Sequence, residues 1–249
     1  MTASGPPYFS LCEAALDELD AVKDIFRVAL QGVRLCASPD LQSVVAAQLM
    51  QGAGFQPGIQ QPADDTAEQL LEIAQELQRQ DFVPLLRSAL LQSYSTYEFF
   101  LKALYVDFAL RDPSRALGLS VALRVKVSAS VFLQEDVTER LFLLADEAWQ
   151  QASAGQGFAG RSVHFLASYC DPELAKHVKA DFDFHRSTLE QLHKLRVSLA
   201  HHGGRTGSFP VAVGSEGISK SRVNLYLNSL MKCSNAVFEA SPFPLHKNL

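Results

Sequence analysis

Residues 193–204 have the sequence HKLRVSLAHHGG and end the most amphipathic helix predicted for the C-terminal half of the chain. Upstream apolar residues extend one face of this helix at helical spacing. They are Phe182, Leu189, Leu192 and Leu199. This spacing predicts a face that packs into a core, and the two glycines that close the stretch are typical of a helix end. The segment therefore predicts a long helix that begins near Pro172 and ends at the histidines.

Two polar side chains, His185 and Arg196, interrupt this apolar face. A guanidinium cannot be neutralised and is costly to desolvate without a partner. Arg196 therefore pairs with an acid, extends to the surface, or faces a place where an anion binds. His201 and His202 follow at the helix end, and histidine is the side chain best suited to proton transfer near neutral pH.

An Arg separated by four residues from a His, here Arg196 and His201, resembles the signature of the HEPN superfamily, and Arg196 with His202 gives a second register. The resemblance runs from about residue 81 to the C-terminus. It implies an all-α, HEPN-like helical bundle. It also implies a metal-independent endoribonuclease of bacterial defence or toxin–antitoxin type, in which two protomers pack their motif helices into one composite site. In that chemistry the His transfers protons and the Arg neutralises charge that develops on the phosphorus.

Residues 93–102, SYSTYEFFLK, resemble the leading core helix of the same family and place an acid, Glu98, beside the predicted apolar stripe. Two interpretations of Glu98 remain open. It forms a surface ion pair with Lys102, one helical turn away, or it orients Arg196 or one of the histidines. The predicted catalytic residues are thus Arg196, His201, His202 and Glu98.

One residue departs from the pattern, since Val197 stands where many active members of the superfamily carry Asn or another polar residue. Val197 and the net charge of −5 favour an alternative, a catalytically inactive HEPN-fold module with an interaction or regulatory role. In the plainest alternative Arg196 pairs with an acid and the histidines interact with the negative helix end. An unrelated helical scaffold is the third interpretation.

Charge and composition limit the remaining classes. Residues 1–175 carry 12 Lys and Arg against 22 Asp and Glu, whereas residues 176–249 carry 10 against 5, so the motif lies in the basic part. This asymmetry fits an anionic substrate such as single-stranded RNA, or packing of the acidic part on the basic part. The four cysteines are far apart, and the N-terminus lacks the features of a signal peptide. These observations predict a cytoplasmic protein without a disulfide framework.

Neither a cofactor nor a metal is expected. The segment 155–160 matches GxGxxG, but a helix rather than a strand is predicted before it, so a connection between helices is favoured over a nucleotide site. No two histidines have the spacing of four residues that suits zinc on a helix. No apolar run approaches the roughly 20 residues that span a membrane. The expected partners are RNA, a second copy of the chain, and an antitoxin or sensor protein.

The predicted organisation is an N-terminal helical extension at 1–80 and a HEPN-like core at 81–249. Asp81 is expected to cap a long helix, and apolar stripes are predicted on this helix and on the last one. Helices are predicted over about 11–35, 41–50, 64–79, 81–112, 114–128, 136–152, 160–169, 172–202 and 219–238. Extended structure is considered only for 209–213 and 222–226.

Overall fold

A computed structural model of the chain describes residues 10–52, 60–112, 134–152, 157–202 and 218–243. Within these ranges the protein is all-α, with no strand, which confirms the predicted fold class. The described helices are α1 (Leu11–Cys36), α2 (Gln42–Gly52), α3 (Gln60–Arg79), α4 (Val83–Arg111), α5 (Val137–Gln151), α6 (Phe158–Phe165), α7 (Pro172–His202) and α8 (Lys220–Ala240). A 3₁₀ turn at Pro39–Leu41 precedes α2, and a π-helical turn at Leu166–Cys170 follows α6. None of these helices is long and apolar enough to cross a membrane.

Packing divides the chain into two compact units that are discontinuous in sequence. The first takes its described residues from Met1–Ala21, Leu90–Thr206 and Asn224–Leu249, and the second from Val22–Ala89 and Gly207–Val223. The predicted boundary between 1–80 and 81–249 stays a prediction.

The apolar stripes predicted for α4, α7 and α8 are buried, as expected. On α7 the buried residues are Phe182, Leu189, Leu192 and Leu199, and on α8 they are Val223, Leu227, Leu230 and Val237. Helix α4 buries its predicted stripe and also Phe100, Ala103 and Val106, so it is apolar on nearly every side in its second half. A helix of that kind belongs in the middle of a core. In the first unit, α6 packs against α7 and against the π-helical turn.

A buried carboxylate on α4 holds the start of α1 in the first unit. Asp107 accepts hydrogen bonds from the amide of Leu11 (3.2 Å), the amide of Cys12 (2.9 Å) and the hydroxyl of Ser10 (3.1 Å). The first amides of a helix have no partner within the helix, and a negative charge is favourable at this end. Asp107 thus caps a helix from about 95 residues away in the sequence.

The second unit includes α2 packed against α3 and contains the tight connection between α3 and α4. Asp81 and Phe82 both have left-handed backbone conformations, with φ of 51° and 60°. The amide of Phe82 donates to the carbonyl of Leu77 (2.8 Å), so these residues close the end of α3. The prediction that Asp81 caps α4 is therefore wrong, because α4 begins at Val83.

The remaining element predictions have mixed outcomes. Helix α5 begins after Asp136, whose carboxylate accepts from the amide of Glu139 (2.8 Å), as expected for an N-cap. The extended segment considered at 222–226 lies inside α8. The predicted helix at 114–128 and the extended segment at 209–213 fall outside the described residues.

Candidate functional site

Arg196 lies on the α7 face that turns toward α4, where its side chain is half-buried. Its guanidinium carbon is 5.0 Å from the centre of the Tyr94 ring, which is a cation–π distance. Within the described part of the chain no carboxylate forms an ion pair with Arg196. The first alternative for Arg196, an ion pair with an acid, is therefore not observed among the described residues.

Tyr94 is the centre of a group of aromatic and charged side chains. Its hydroxyl lies 2.8 Å from Nδ1 of His193. Its ring stacks on Phe158 at 4.9 Å, and Phe158 lies nearly parallel to the imidazole of His193 at 5.4 Å. Three helices, α4, α6 and α7, thus contribute one ring each to a single stack.

Both groups of the Tyr94–His193 pair are neutral near pH 7. Burial raises the pKa of Tyr94, and the nearby carboxylate of Glu98 raises it further. Burial lowers the pKa of His193, and the positive charges of Arg161 and Arg196 act in the same direction. The hydrogen bond between them therefore joins a phenol to an uncharged imidazole.

Within the described residues Glu98 pairs with neither Lys102 nor Arg196. Its Oε1 accepts a hydrogen bond from the indole nitrogen of Trp149 on α5 (2.9 Å). The ammonium of Lys102 contacts Asp146, also on α5, so the ion pair of Glu98 with Lys102, one of the two interpretations left open for Glu98, is not observed. Glu98 is half-buried close to Tyr94, where its charge acts on the tyrosine and on Arg161.

A second guanidinium, Arg161 on α6, belongs to the same group. Its Nε and Nη2 donate to the carbonyl of Trp149 at 3.0 and 2.6 Å. The guanidinium carbon of Arg161 lies 3.9 Å from the centre of the Trp149 indole ring. Burial lowers the pKa of Arg161; the negative charge of Glu98 opposes this shift, and the positive charge of Arg196 adds to it. We refer to this group as the Tyr94 cluster: Tyr94, Glu98, Trp149, Phe158, Arg161, His193 and Arg196.

Sequence reasoning missed Arg161 and His193 as members of the site. In the sequence His193 is one of several scattered histidines, and Arg161 belongs to no recognisable motif. The only available signal was position, because His193 lies three residues before Arg196, on the same side of a helix. The partner of each residue comes from a distant part of the sequence, and no local pattern indicates it.

Glu190 joins α7 to the start of α6 beside the cluster. Its Oε1 accepts from the amide of Ala159 at 3.0 Å. A Cβ atom at position 157 would overlap this carboxylate, so glycine is the residue that leaves room for it. Gly157 of the GxGxxG match thus serves contact between helices; residues 153–156 lie outside the described residues.

The predicted catalytic histidines, His201 and His202, lie in the last turn of α7. Their backbone is helical through His202, so the last turn is not unwound in a way that would bring His201 toward Arg196. The side chains of the two histidines are not described. Residues five apart on a regular helix are separated by about 140° around its axis. Arg196 and His201 of one chain therefore do not share a helix face. The choice between His201 and His202 stays a prediction.

A groove and the grouping of metal-binding side chains bear on other kinds of site. A groove of about 490 Å³ lies along α6 and α7 and includes Lys179, Asp183 and Arg186 among its lining residues. Asp183 contacts both cations of this groove, which leaves it mixed in charge. Among the residues that the structure describes, no three His, Cys, Asp or Glu side chains are grouped closely enough to hold a metal ion.

Comparisons with protein-family models, curated proteins and solved structures found no match to this chain. The resemblance to HEPN ribonucleases therefore depends on the motif residues together with the all-α fold. The Tyr94 cluster itself offers a half-buried cation on an aromatic surface, a second cation nearby and a neutral imidazole. Such a site can bind an anionic group and orient it.

Proposed function

We propose that the protein is a metal-independent endoribonuclease that cleaves single-stranded RNA, with Arg196 as the phosphate-binding residue. The observation that supports this most is the state of Arg196. It is half-buried on the face of Tyr94, it has no described acidic partner, and its helix continues to two histidines. A guanidinium held in this way is prepared to accept a bidentate phosphate ligand.

The proposed reaction needs one base, one acid and one cation. His201 removes the proton of a ribose 2′-hydroxyl while the 2′-oxygen attacks the adjacent phosphorus. The bond from phosphorus to the 5′-oxygen breaks, and a protonated histidine supplies the proton that this oxygen needs. Arg196 stabilises the additional negative charge on the phosphorane. The products are a 2′,3′-cyclic phosphate and a 5′-hydroxyl.

The other members of the Tyr94 cluster act as positioning residues in this proposal. Tyr94 provides the surface on which the Arg196 side chain rests, and its hydrogen bond to His193 fixes the ring between α4 and α7. Arg161 is fixed by the Trp149 carbonyl and adds positive charge at the same place. Glu98 partly balances the two guanidinium groups.

The proposed site is composite and forms between two copies of the chain. Helical geometry separates Arg196 from His201 within one chain, so the histidine that acts with Arg196 comes from a second protomer across a two-fold axis. Leu199 lies between Arg196 and His201 on α7, but its side chain is only 4% exposed. A charged residue at this position would disrupt the core of the protomer, so such a variant cannot test the interface by itself.

The test is cleavage of single-stranded RNA in EDTA, followed by analysis of the RNA ends. Arg196→Ala and His201→Ala should each lower the rate at least ~10²-fold, the scale expected when a catalytic acid–base or a charge-stabilising group is lost. Lys194→Ala is the matched control, because it removes an exposed cation from the same helix and should leave the rate nearly unchanged. His202→Ala should cost less than His201→Ala; the reverse order would transfer the role to His202.

Absence of cleavage by pure, folded protein would contradict the proposal, and so would activity that requires Mg²⁺ or survives both substitutions. Binding of RNA or of a protein partner without cleavage would instead favour an inactive interaction or regulatory module, with which Val197 is compatible. A role in bacterial defence or in a toxin–antitoxin pair, with a neutralising or sensor protein, belongs to this proposal as well.

A further inference from the structure

Helix α1 has two apolar faces, and only one of them is buried. The buried face consists of Cys12, Ala15, Leu19, Val22 and Phe26. On the other side Ile25, Val28 and Leu35 are 61%, 70% and 58% exposed. Together with Ala21 and Gly32 they follow an alternating spacing of four and three residues. We refer to Ala21, Ile25, Val28, Gly32 and Leu35 as the α1 stripe.

A spacing of this kind is the pattern of a helix that packs lengthwise against another helix. A helix that binds nothing on this side would carry polar residues there. The stripe covers two heptads, so it is long enough for one helix–helix contact. Large exposed apolar side chains grouped in this way mark an interaction surface.

The order of side-chain sizes in the stripe fits a second copy of itself in the antiparallel direction. With a two-fold axis at Val28, Ala21 lies level with the partner's Leu35, and Gly32 lies within one residue of the level of the partner's Ile25. Each large residue then meets a small one. A Cβ atom at Gly32 would have no neighbour within 4 Å, so there is space at this position for the opposing isoleucine.

The charges along α1 favour the same direction. All five acidic residues of the helix precede Ile25, and the charged residues after it are Arg27 and Arg34. A parallel pair would place acidic half beside acidic half. With the axis at Val28 the two copies overlap over residues 20–36, and an antiparallel pair places Arg34 level with residue 22 of the partner, between Asp20 and Asp24, which is electrostatically complementary.

We propose that the α1 stripe binds the α1 stripe of a second copy, antiparallel, with the two-fold axis passing at Val28. Such an interface is self-complementary and closes on itself. The proposal does not depend on the ribonuclease assignment, because the stripe is on α1 and the motif residues are on α7. Loss of the α1 contact is measured as molecular mass, whereas loss of the proposed activity is measured on RNA.

The first test is light scattering of the full chain without RNA. The wild type should have at least twice the 27.3 kDa of one chain, and Val28→Asp should halve the measured mass. Leu225→Asp is the matched control, since Leu225 is 54% exposed on α8 and its substitution should leave the mass unchanged. A wild type of 27.3 kDa, or a Val28→Asp mass equal to that of the wild type, would overturn the proposal.

The second test fixes the direction by disulfide formation and remains informative if an aspartate at this position perturbs folding. In a Cys36→Ser background, Val28→Cys should form an interchain disulfide about tenfold or more faster than Leu225→Cys, because the two-fold axis raises the effective concentration of the thiols. Leu35→Cys should not cross-link to itself, since antiparallel copies place these residues at opposite ends. Equal rates at Val28 and Leu225, or rapid self-linking at Leu35, would refute the antiparallel pair.

Discussion

Replacement of Gly157 by alanine should destabilise the protein only because of Glu190. The backbone at Gly157 has φ of −62° and ψ of 172°, which alanine adopts without strain. The added methyl group would overlap the Glu190 carboxylate. That carboxylate ends a flexible side chain and can move, so the cost is limited to its 3.0 Å hydrogen bond with the amide of Ala159.

The magnitude follows from this hydrogen bond. A bond to a charged group contributes about 1.5–3 kcal/mol, and because Glu190 is half-buried, solvent reduces the value toward about 1–2 kcal/mol. Alanine recovers about 0.4–1 kcal/mol by reducing the freedom of the unfolded chain, but Gly157 is the N-cap of α6, where alanine is less favourable than glycine by a similar amount, roughly 0.5 kcal/mol. These two effects nearly cancel, so Gly157→Ala should lower the free energy of unfolding by about 1.5 kcal/mol in the wild type, the contribution of the hydrogen bond.

The assay is a double-mutant cycle with urea unfolding followed by circular dichroism. In a Glu190→Ala background the clash and the hydrogen bond are both absent, so Gly157→Ala should change the free energy of unfolding by less than about 0.5 kcal/mol. The difference between the two backgrounds gives a coupling of about 1.5 kcal/mol. Equal effects of Gly157→Ala in both backgrounds would refute the reasoning, because the glycine would then be required for a reason other than Glu190.

Three further predictions concern the core and the Tyr94 cluster. Asp107→Ala should lower the free energy of unfolding in urea by about 3 kcal/mol, since three hydrogen bonds at roughly 1 kcal/mol each are lost; Asp107→Asn, which keeps an acceptor, should cost less. His193 has a pKa lowered by burial, so the stability it provides is present above pH 6.5 and is lost as the pH falls. His193→Gln should make unfolding free energies less dependent on pH between about 7 and 5, and an unchanged dependence would contradict a half-buried neutral imidazole. Arg161→Lys should lower RNA cleavage while Arg186→Lys does not, because only Arg161 donates two hydrogen bonds to the Trp149 carbonyl; equal rates in both variants would count against its positioning role.

The sequence was sufficient for the features that depend on local periodicity. The stripes of α4, α7 and α8 repeat at helical spacing and are buried as predicted. The position of Arg196 on the inner face of α7 followed from the same pattern. Caps formed by a neighbouring residue, such as Asp136, are also encoded locally.

The contacts that build the candidate site could not be predicted in this way, because their partners are distant in sequence. Glu190 reaches an amide 31 residues away, and Glu98 reaches an indole 51 residues away. The rule that acids pair with bases four residues later fails for Glu98, since Lys102 finds Asp146 on another helix. The second face of α1 was also hidden, because periodicity alone does not show which of two apolar faces the fold covers.

Subunit complementation tests the central claim most directly. Arg196→Ala chains are mixed in equal amounts with His201→Ala chains, allowed to exchange subunits, and assayed on single-stranded RNA in EDTA. After exchange, half of the dimers contain one chain of each variant. In such a dimer one of the two composite sites has both Arg196 and His201 intact, so about a quarter of the wild-type activity should return. The separate variants should remain inactive. A mixture as inactive as its components, while the wild type cleaves RNA under the same conditions, would contradict a site shared between two copies of the chain.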